Sequence, residues 1–304
     1  MSESVHHNQK LRPIIYGEVL FDCFPDGHSV LGGAPFNVAW HLHGLGLKPQ
    51  LLSSVGNDAR GKAVLQTMAE WGMDTSGVQV SEQYPTGQVA VSLDQGQPSY
   101  NIVTAQAYDH ILSEQALAQA ADNAPALIYH GSLALREATS RHTLDALLQA
   151  TASPVFLDLN LRAPWWQPSL VDNILQRATW VKLNDEELCQ ITGNRLSADA
   201  DLQVYARELL QQYGLQRVIV TRGEHGAFIV SHDGVIEGKP VPVSRLMDTV
   251  GAGDAFSAIT IAGLLRDWPL QLTLDRALAF ASAVCQQRGA TAQDASLYVP
   301  MTTA

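Results

Sequence analysis

The chain is expected to fold as an α/β protein with a mainly parallel central sheet, helices on both faces and a small separate β-sheet. Three observations lead there. Short apolar runs recur at strand length, most are followed by a stretch with helical periodicity, and two turn-rich segments break that rhythm. The strand candidates are Ile14–Leu20, Leu51–Val55, Ala126–His130, Val155–Leu159, Trp180–Leu183 and Val218–Thr221. Helical patterns cover Phe36–Gly44, Gly61–Gly72, Ser113–Ala121, Ser140–Ala150, Leu170–Ala178, Asp185–Thr192, Ala198–Tyr213, Asp254–Leu265 and Thr273–Gln287. The two interruptions are Phe21–Leu31 and Thr86–Thr104, where Val89, Val91 and Leu93, then Tyr100 and Ile102, alternate with polar neighbours. They read as one small β-flap made from two excursions, or as ordinary surface hairpins. No repeat or low-complexity linker divides the chain. A single domain is expected over residues 10–300, with lid segments 21–31 and 86–104 inserted in it.

The composition bounds the function. Of 304 residues 46% are hydrophobic and 16% charged, enough for a large core and against global disorder. The net charge of −11 argues against nucleic acid or an anionic membrane surface as the main partner, though a local anion hole can override the global field. No apolar run approaches a membrane span, and Met1 to Lys10 lacks the apolar core of a signal peptide. Cys23, Cys189 and Cys285 are scattered and odd in number, which suits buried thiols in a reducing cytoplasm.

Ligands of parallel sheets bind beyond the carboxyl ends of the strands, and the chemically informative segments fall there. Asp248-Thr249-Val250-Gly251-Ala252-Gly253-Asp254 places small residues before an acid that opens a helix. Gly251 and Gly253 permit a tight turn, and the first N–H groups of the helix point out of its end as an anion site. A carboxylate in that mouth suits taking a proton from a hydroxyl that attacks phosphate. A glycine turn with an acid in the first helical turn is the plain structural alternative.

Gly32-Gly33-Ala34-Pro35-Phe36-Asn37 is a second glycine turn opening a helix, where Asn37 can hold a sugar hydroxyl or simply sit in a tight helix entry. Asp22 can accept two neighbouring hydroxyls or be a solvated strand end. Asn184-Asp185-Glu186-Glu187 has the spacing of a capping box, and Asn184 with Glu187 could also reach a hydrated magnesium ion; spacing alone favours the cap. Thr221-Arg222-Gly223-Glu224-His225-Gly226 could face a nucleotide or be a plain β-turn before an arm at Ala227–Val230. Gly56-Asn57-Asp58-Ala59-Arg60-Gly61-Lys62 mimics a phosphate loop, but Ala63 stands where Ser or Thr would hold magnesium, so it is rejected. His41 and His43 diverge on a helix, and His6 and His7 lie in an N-terminal tail. No zinc spacing and no hydrolase elbow occur.

Together these segments resemble the ribokinase-like (PfkB) family of carbohydrate kinases over nearly the whole chain, from Ile14 to about Tyr298. The resemblance implies a three-layer α/β/α fold with a small β-sheet lid. It implies that Asp254 is the catalytic base and that the N–H groups of Ala252, Gly253 and Asp254, after Gly251, form the anion hole. Asp22, Gly32, Gly33 and Asn37 would bind sugar. Asn184 and Glu187 would serve the Mg²⁺–phosphate network, Glu187 through water. Thr221, Gly223 and Gly226 would line ATP, and Ala281, Cys285 and the turn Gly289-Ala290-Thr291 would flank adenine.

Within the family the chain is most similar to bacterial fructokinases, through Gly17–Asp22, Gly32–Ala39 and Asp158-Leu159-Asn160-Leu161-Arg162. Asn160 and Arg162 would face the sugar or the transferred phosphoryl. The implied activity is ATP-dependent phosphorylation of a primary hydroxyl, fructose to fructose 6-phosphate. A kinase for 2-keto-3-deoxygluconate, ribose or a nucleoside is the alternative, and a sugar-sensing protein without catalysis is the rival of another class. A monovalent cation such as K⁺ is an optional cofactor. A small isolated sheet cannot bury both faces alone, so a homodimer through the lid is expected.

Overall fold

The structure, a computed structural model, describes residues 12–94, 97–121, 125–194, 199–243 and 245–302. His6 and His7 lie outside them. The chain divides into two compact units, one of residues 1–125 and 134–152, the other of residues 126–133 and 153–304.

In the first unit β1 (Ile14–Tyr16), β4 (Gln50–Gly56) and β5 (Val78–Ser81) pair in parallel in the order β1-β4-β5. The first strand is shorter than expected, and Leu20 belongs elsewhere. At Gly17 the N–H still reaches the Leu52 carbonyl at 3.2 Å, and the chain then leaves this ladder. β2 (Leu20–Cys23), β3 (Ser29–Gly32), β6 (Gly87–Asp94) and β7 (Gln97–Ile102) form the small sheet, in the order β3-β2-β6-β7. The two interruptions therefore do combine into one sheet. β5 had no sequence signal beyond one short alternation, because an edge strand needs few apolar residues.

The helices of this unit are α1 (Ala34–Gly44), α2 (Ala59–Trp71), α3 (Ser113–Ala121) and α4 (Ala138–Ala150). Trp40 of α1 is fully buried and stacks on Trp71 of α2 with ring centroids 4.9 Å apart, a contact worth ~0.5–1.5 kcal/mol beyond burial.

In the second unit β8 (Ile128–His130), β9 (Val155–Asp158), β10 (Trp180–Asn184) and β11 (Arg217–Thr221) run parallel in that order. β12 (Ala227–Ser231) and β13 (Gly234–Gly238) then add an antiparallel hairpin. Its helices are α5 (Pro168–Leu175), α6 (Asp185–Thr192), α7 (Asp199–Tyr213), α8 (Ala252–Leu265) and α9 (Leu270–Val284). The sheet of this unit thus counts six strands among the described residues, four parallel and two in the antiparallel hairpin. Val181, Leu183, Val218 and Val220 are wholly buried, as expected of central parallel strands. The three thiols are free. Among the described residues no helix is long and apolar enough to cross a membrane.

The phosphate-loop mimic has a purely structural explanation. Asp58 caps α2, taking the Gly61 N–H at 2.8 Å and the Thr86 N–H at 2.9 Å. A carboxylate thus occupies donors that a phosphate would need. Gly61 is required because a Cβ there would lie 2.0 Å from the Gly56 carbonyl oxygen. Lys62 is exposed. Gly61→Ala is accordingly expected to lower stability by at least ~1–3 kcal/mol, the usual cost of overpacking. Lys62→Ala is expected to change it by no more than ~0.5 kcal/mol and to leave turnover intact. Urea denaturation and a steady-state assay read both; loss of activity in Lys62→Ala with a neutral Gly61→Ala would restore a phosphate-binding role.

Candidate active site

The first unit gathers four of the residues singled out for sugar. Asp22 lies on β2, opposite Val30 of β3 and Val89 of β6. β3 ends at Gly32, and α1 starts two residues later with Pro35 in its first turn. A Cβ on Gly32 would lie 3.9 Å from both Asp22 Oδ2 and Asn37 Oδ1. The carboxylate and the carboxamide therefore converge over a stretch of bare backbone. Asn37 is held there by its own N–H, which donates to the Gly33 carbonyl at 2.9 Å. One short segment thus offers an anionic acceptor and a neutral amide side by side, a pair suited to neighbouring hydroxyls.

The second unit holds the glycine run. Gly251 caps α8 with φ +81°, and the first helical bond runs from the Ala255 N–H to its carbonyl at 2.8 Å. A Cβ on Gly251 would also lie 2.4 Å from the Ala290 Cβ. Asp254 sits in the first turn of the helix. The Ala252 N–H donates to the Thr249 carbonyl at a long 3.3 Å, so one of the three donors assigned to the anion hole is already engaged in the turn. Asp248 ties the run to the turn after α9: its side chain accepts the Val250 N–H at 3.0 Å and the Gly289 N–H at 3.3 Å. The Cys285 carbonyl accepts the N–H groups of Met247 and Asp248 at 2.9 and 3.2 Å. Cys285 follows α9 directly and donates its own N–H to the Ala281 carbonyl at 3.1 Å. Burial, with Asp248 nearby, pushes the Cys285 thiol up from its ordinary value.

The remaining residues divide. Thr221 closes β11, its hydroxyl 3.5 Å from the Leu183 carbonyl. Gly223 to His225 form one short helical turn, and the Arg222 N–H donates to the Gly226 carbonyl at 2.8 Å. A Cβ on Gly226 would lie 2.4 Å from the Gly238 carbonyl oxygen, so its glycine is explained by the hairpin it joins. Gly223 instead has nothing within 4 Å of where a Cβ would sit. Asn160 follows β9 with φ +41°, an uncommon conformation for a residue with a side chain. Arg162, two residues on, is exposed.

The spacing Asn184-x-x-Glu187 does form a capping box: Asn184 Oδ1 accepts the Glu187 N–H at 2.7 Å, and Glu187 Oε2 accepts the Asn184 N–H at 2.9 Å. Glu187 Oε1 also accepts the Leu161 N–H at 2.7 Å, which ties down the loop carrying Asn160 and Arg162. Burial holds the Glu187 carboxyl above its usual range, Asp158 adds to that, and the backbone N–H donors and Lys182 act against it. Among the described residues no three His, Cys, Asp or Glu side chains cluster as a metal cage. The hard oxygens of Asn184 and Glu187 fit an ion held through its own waters rather than by direct chelation.

Lys182 and Ser257 escaped the sequence reading, and Asp158 stood in its Asp-x-Asn-x-Arg motif without a role of its own. Lys182 and Asp158 are register partners on β10 and β9, and Lys182 Nζ donates to both Asp158 oxygens at 3.0 and 2.9 Å. Ser257 of α8 donates to Asp158 Oδ2 at 2.7 Å. The available signal was a lysine inside the apolar run Trp180–Leu183.

A model of pfkB family carbohydrate kinases matches residues 22–296. The chain belongs to this family. A Salmonella typhimurium protein named fructokinase is 29% identical over 300 residues, covering 94% of this chain and 95% of its own. The structure of a fructokinase from Xylella fastidiosa with bound ATP superposes with a TM-score of 0.83 at 24% identity, covering 96% of this chain and 98% of its own. The fructokinase of Vibrio cholerae O395, solved with fructose, ADP and calcium, gives 0.78 at 24% identity, over 96% and 99% of the two chains. The pfkB fold is thus present along nearly the whole length of this carbohydrate kinase.

The two glycines of opposite surroundings give a test. Gly251→Ala is expected to cost at least ~2 kcal/mol, from ~1–2 for the left-handed backbone plus overpacking against Ala290. Gly223→Ala should cost only the backbone part. Equal losses in urea denaturation would mean that Ala290 yields and that the contact does not constrain the turn.

Proposed function

We propose that this carbohydrate kinase transfers the γ-phosphoryl group of ATP to a primary hydroxyl of a sugar, converting fructose to fructose 6-phosphate. The observation that carries the reading is the first turn of α8, where Asp254 follows a left-handed glycine cap at a helix N-terminus. Asp254 accepts the proton as the sugar hydroxyl attacks. The N–H groups of Gly253 and Asp254, with that of Ala252 released from its long turn bond, stabilise charge on the phosphoryl oxygens. Asp22, Asn37 and the backbone at Gly32 and Gly33 orient the sugar, while Asn160 and Arg162 act on the sugar or the phosphoryl. Asn184 and Glu187 would hold Mg²⁺ through water, and that ion would neutralise phosphate charge. Thr221 and Gly223 line ATP, and Ala281 and Cys285 flank its base. Gly226 supports that turn from within the hairpin. A monovalent cation such as K⁺ is a further proposed cofactor.

The Salmonella relative's name and the fructose and ADP in the Vibrio structure support the choice of sugar. The exposed Arg162 favours one second reading, a keto-acid sugar such as 2-keto-3-deoxygluconate. Coupled ADP release across fructose, 2-keto-3-deoxygluconate, ribose, glucose and adenosine separates them, and turnover of none would leave a sugar-sensing protein. Asp254→Asn is expected to lower kcat at least ~10²-fold with a smaller change in KM for ATP. A variant with near-native kcat would remove Asp254 from the role of base.

The small sheet acts as a lid within one kinase domain. Asp22, Val30, Val89 and Ile102 are register partners, and Val91 with Tyr100 continue the same face. Val89 and Val91 are buried, whereas Val30 and Tyr100 remain exposed. These two are the contact offered to the lid of a second copy, giving a cytoplasmic homodimer. Light scattering at micromolar concentration should report two copies and, for Tyr100→Asp, one. A native monomer would sink the dimer. Hydrogen exchange in residues 86–94 and 97–104 should slow when fructose is added; unchanged exchange with a sugar that is turned over would sink the lid.

A further inference from the structure

The buried group beneath α8 has no role in the mechanism above. Asp158 ends β9 and is almost fully buried. Its carboxylate takes Lys182 Nζ on both oxygens, the Ser257 hydroxyl at 2.7 Å and the Tyr129 hydroxyl at 3.4 Å. Ser257 lies one helical turn beyond Gly253, and its oxygen is also 3.0 Å from the Gly253 carbonyl. A hydroxyl has one proton, and the shorter contact to a charged acceptor takes it. Lys182 Nζ would lie 3.3 Å from a Cβ on Gly253. An ammonium group therefore rests against the N-terminal turn of a helix, the end where the macrodipole disfavours a cation. A core built only for stability would place an apolar side chain there.

We propose that Asp158, Lys182 and Ser257 are positioning residues for phosphoryl transfer. Ser257, one turn beyond Gly253, fastens the start of α8 to the end of β9, and Lys182 holds the Asp158 carboxylate in the one orientation that receives it. The amides of Gly253 and Asp254 are thereby fixed relative to the strand end from which the Asn160 loop departs. None of the three is assigned contact with substrate. The inference rests on the reading of Asp254 and its neighbours as the phosphoryl site.

Two variants test it. Ser257→Ala removes the link to the helix and leaves the ion pair. Lys182→Met/Asp158→Leu removes the pair with little change of volume, which generally spares or raises stability. Both are expected to lower kcat at least ~10-fold, since small misplacements at a reacting centre cost up to ~100-fold, with KM for the sugar within about twofold. Amide exchange over residues 251–255 should rise at least about tenfold in Ser257→Ala while the melting temperature of the double variant matches or exceeds that of Asp158→Leu alone. A Ser257→Ala protein with native kcat and native exchange in that turn overturns the proposal, whatever happens to the double variant. A kcat loss without faster exchange also overturns it, because the hydroxyl would then act on substrate directly. If the native protein phosphorylates no sugar, the functional reading fails, and exchange alone decides the positioning.

Discussion

The Asp158–Lys182 ion pair is the constraint on which the second unit depends. Its side chains are only 2% and 8% exposed, and removing one partner of such a pair typically costs ~3–5 kcal/mol because the other charge is stranded. Its position matters more than its energy. The two residues sit side by side on parallel strands, Asp158 at the end of β9 and Lys182 two residues before the end of β10, close to where a loop and a helix begin. Ser257 joins the pair to α8, and the Glu187 capping box joins the neighbouring loop at Leu161 to α6. Two neighbouring buried polar groups thus hold the segments on which the proposed chemistry draws, and such groups rigidify a site only if they are satisfied.

In the capping box the structural role of Glu187 and the chemical role proposed for it fall on the same atoms. Each Glu187 oxygen accepts a backbone N–H, so the side chain has one orientation. Burial disfavours its charged form, and a hydrated cation outside the cap would favour it again.

On the acceptor side the corresponding constraint is steric. Asp22 and Asn37 come together because Gly32 has no side chain between them. Val30, Val89, Val91, Tyr100 and Ile102 share the face of Asp22, while Phe21, Leu31, Cys23, Ser29, Ala90 and Asn101 share the other. Phe21 of that second face is buried, and Arg60 of α2 reaches Cys23 Sγ at 3.5 Å. The proposed association rests on the exposed Val30 and Tyr100 of the first face.

The sequence by itself determined the α/β class and most strands and helices to within a few residues, and its motifs carried the resemblance to the pfkB family; the pairing of the two turn-rich segments into one sheet was decided by the tertiary structure. Periodicity and glycine motifs are local, and so are the elements and turns they report. It also disposed of the phosphate-loop mimic through Ala63. It could not separate Gly223, which faces open space, from Gly226, which a neighbouring carbonyl excludes from any larger residue. It did not place the end of β1 at Tyr16, because apolar character continues through Val19 and Leu20 while the hydrogen-bonded partner changes. It gave no sign that Lys182, Asp158 and Ser257 meet. Those residues are 24 and 99 positions apart along the chain from Asp158, and only the parallel register and the return of α8 bring them together.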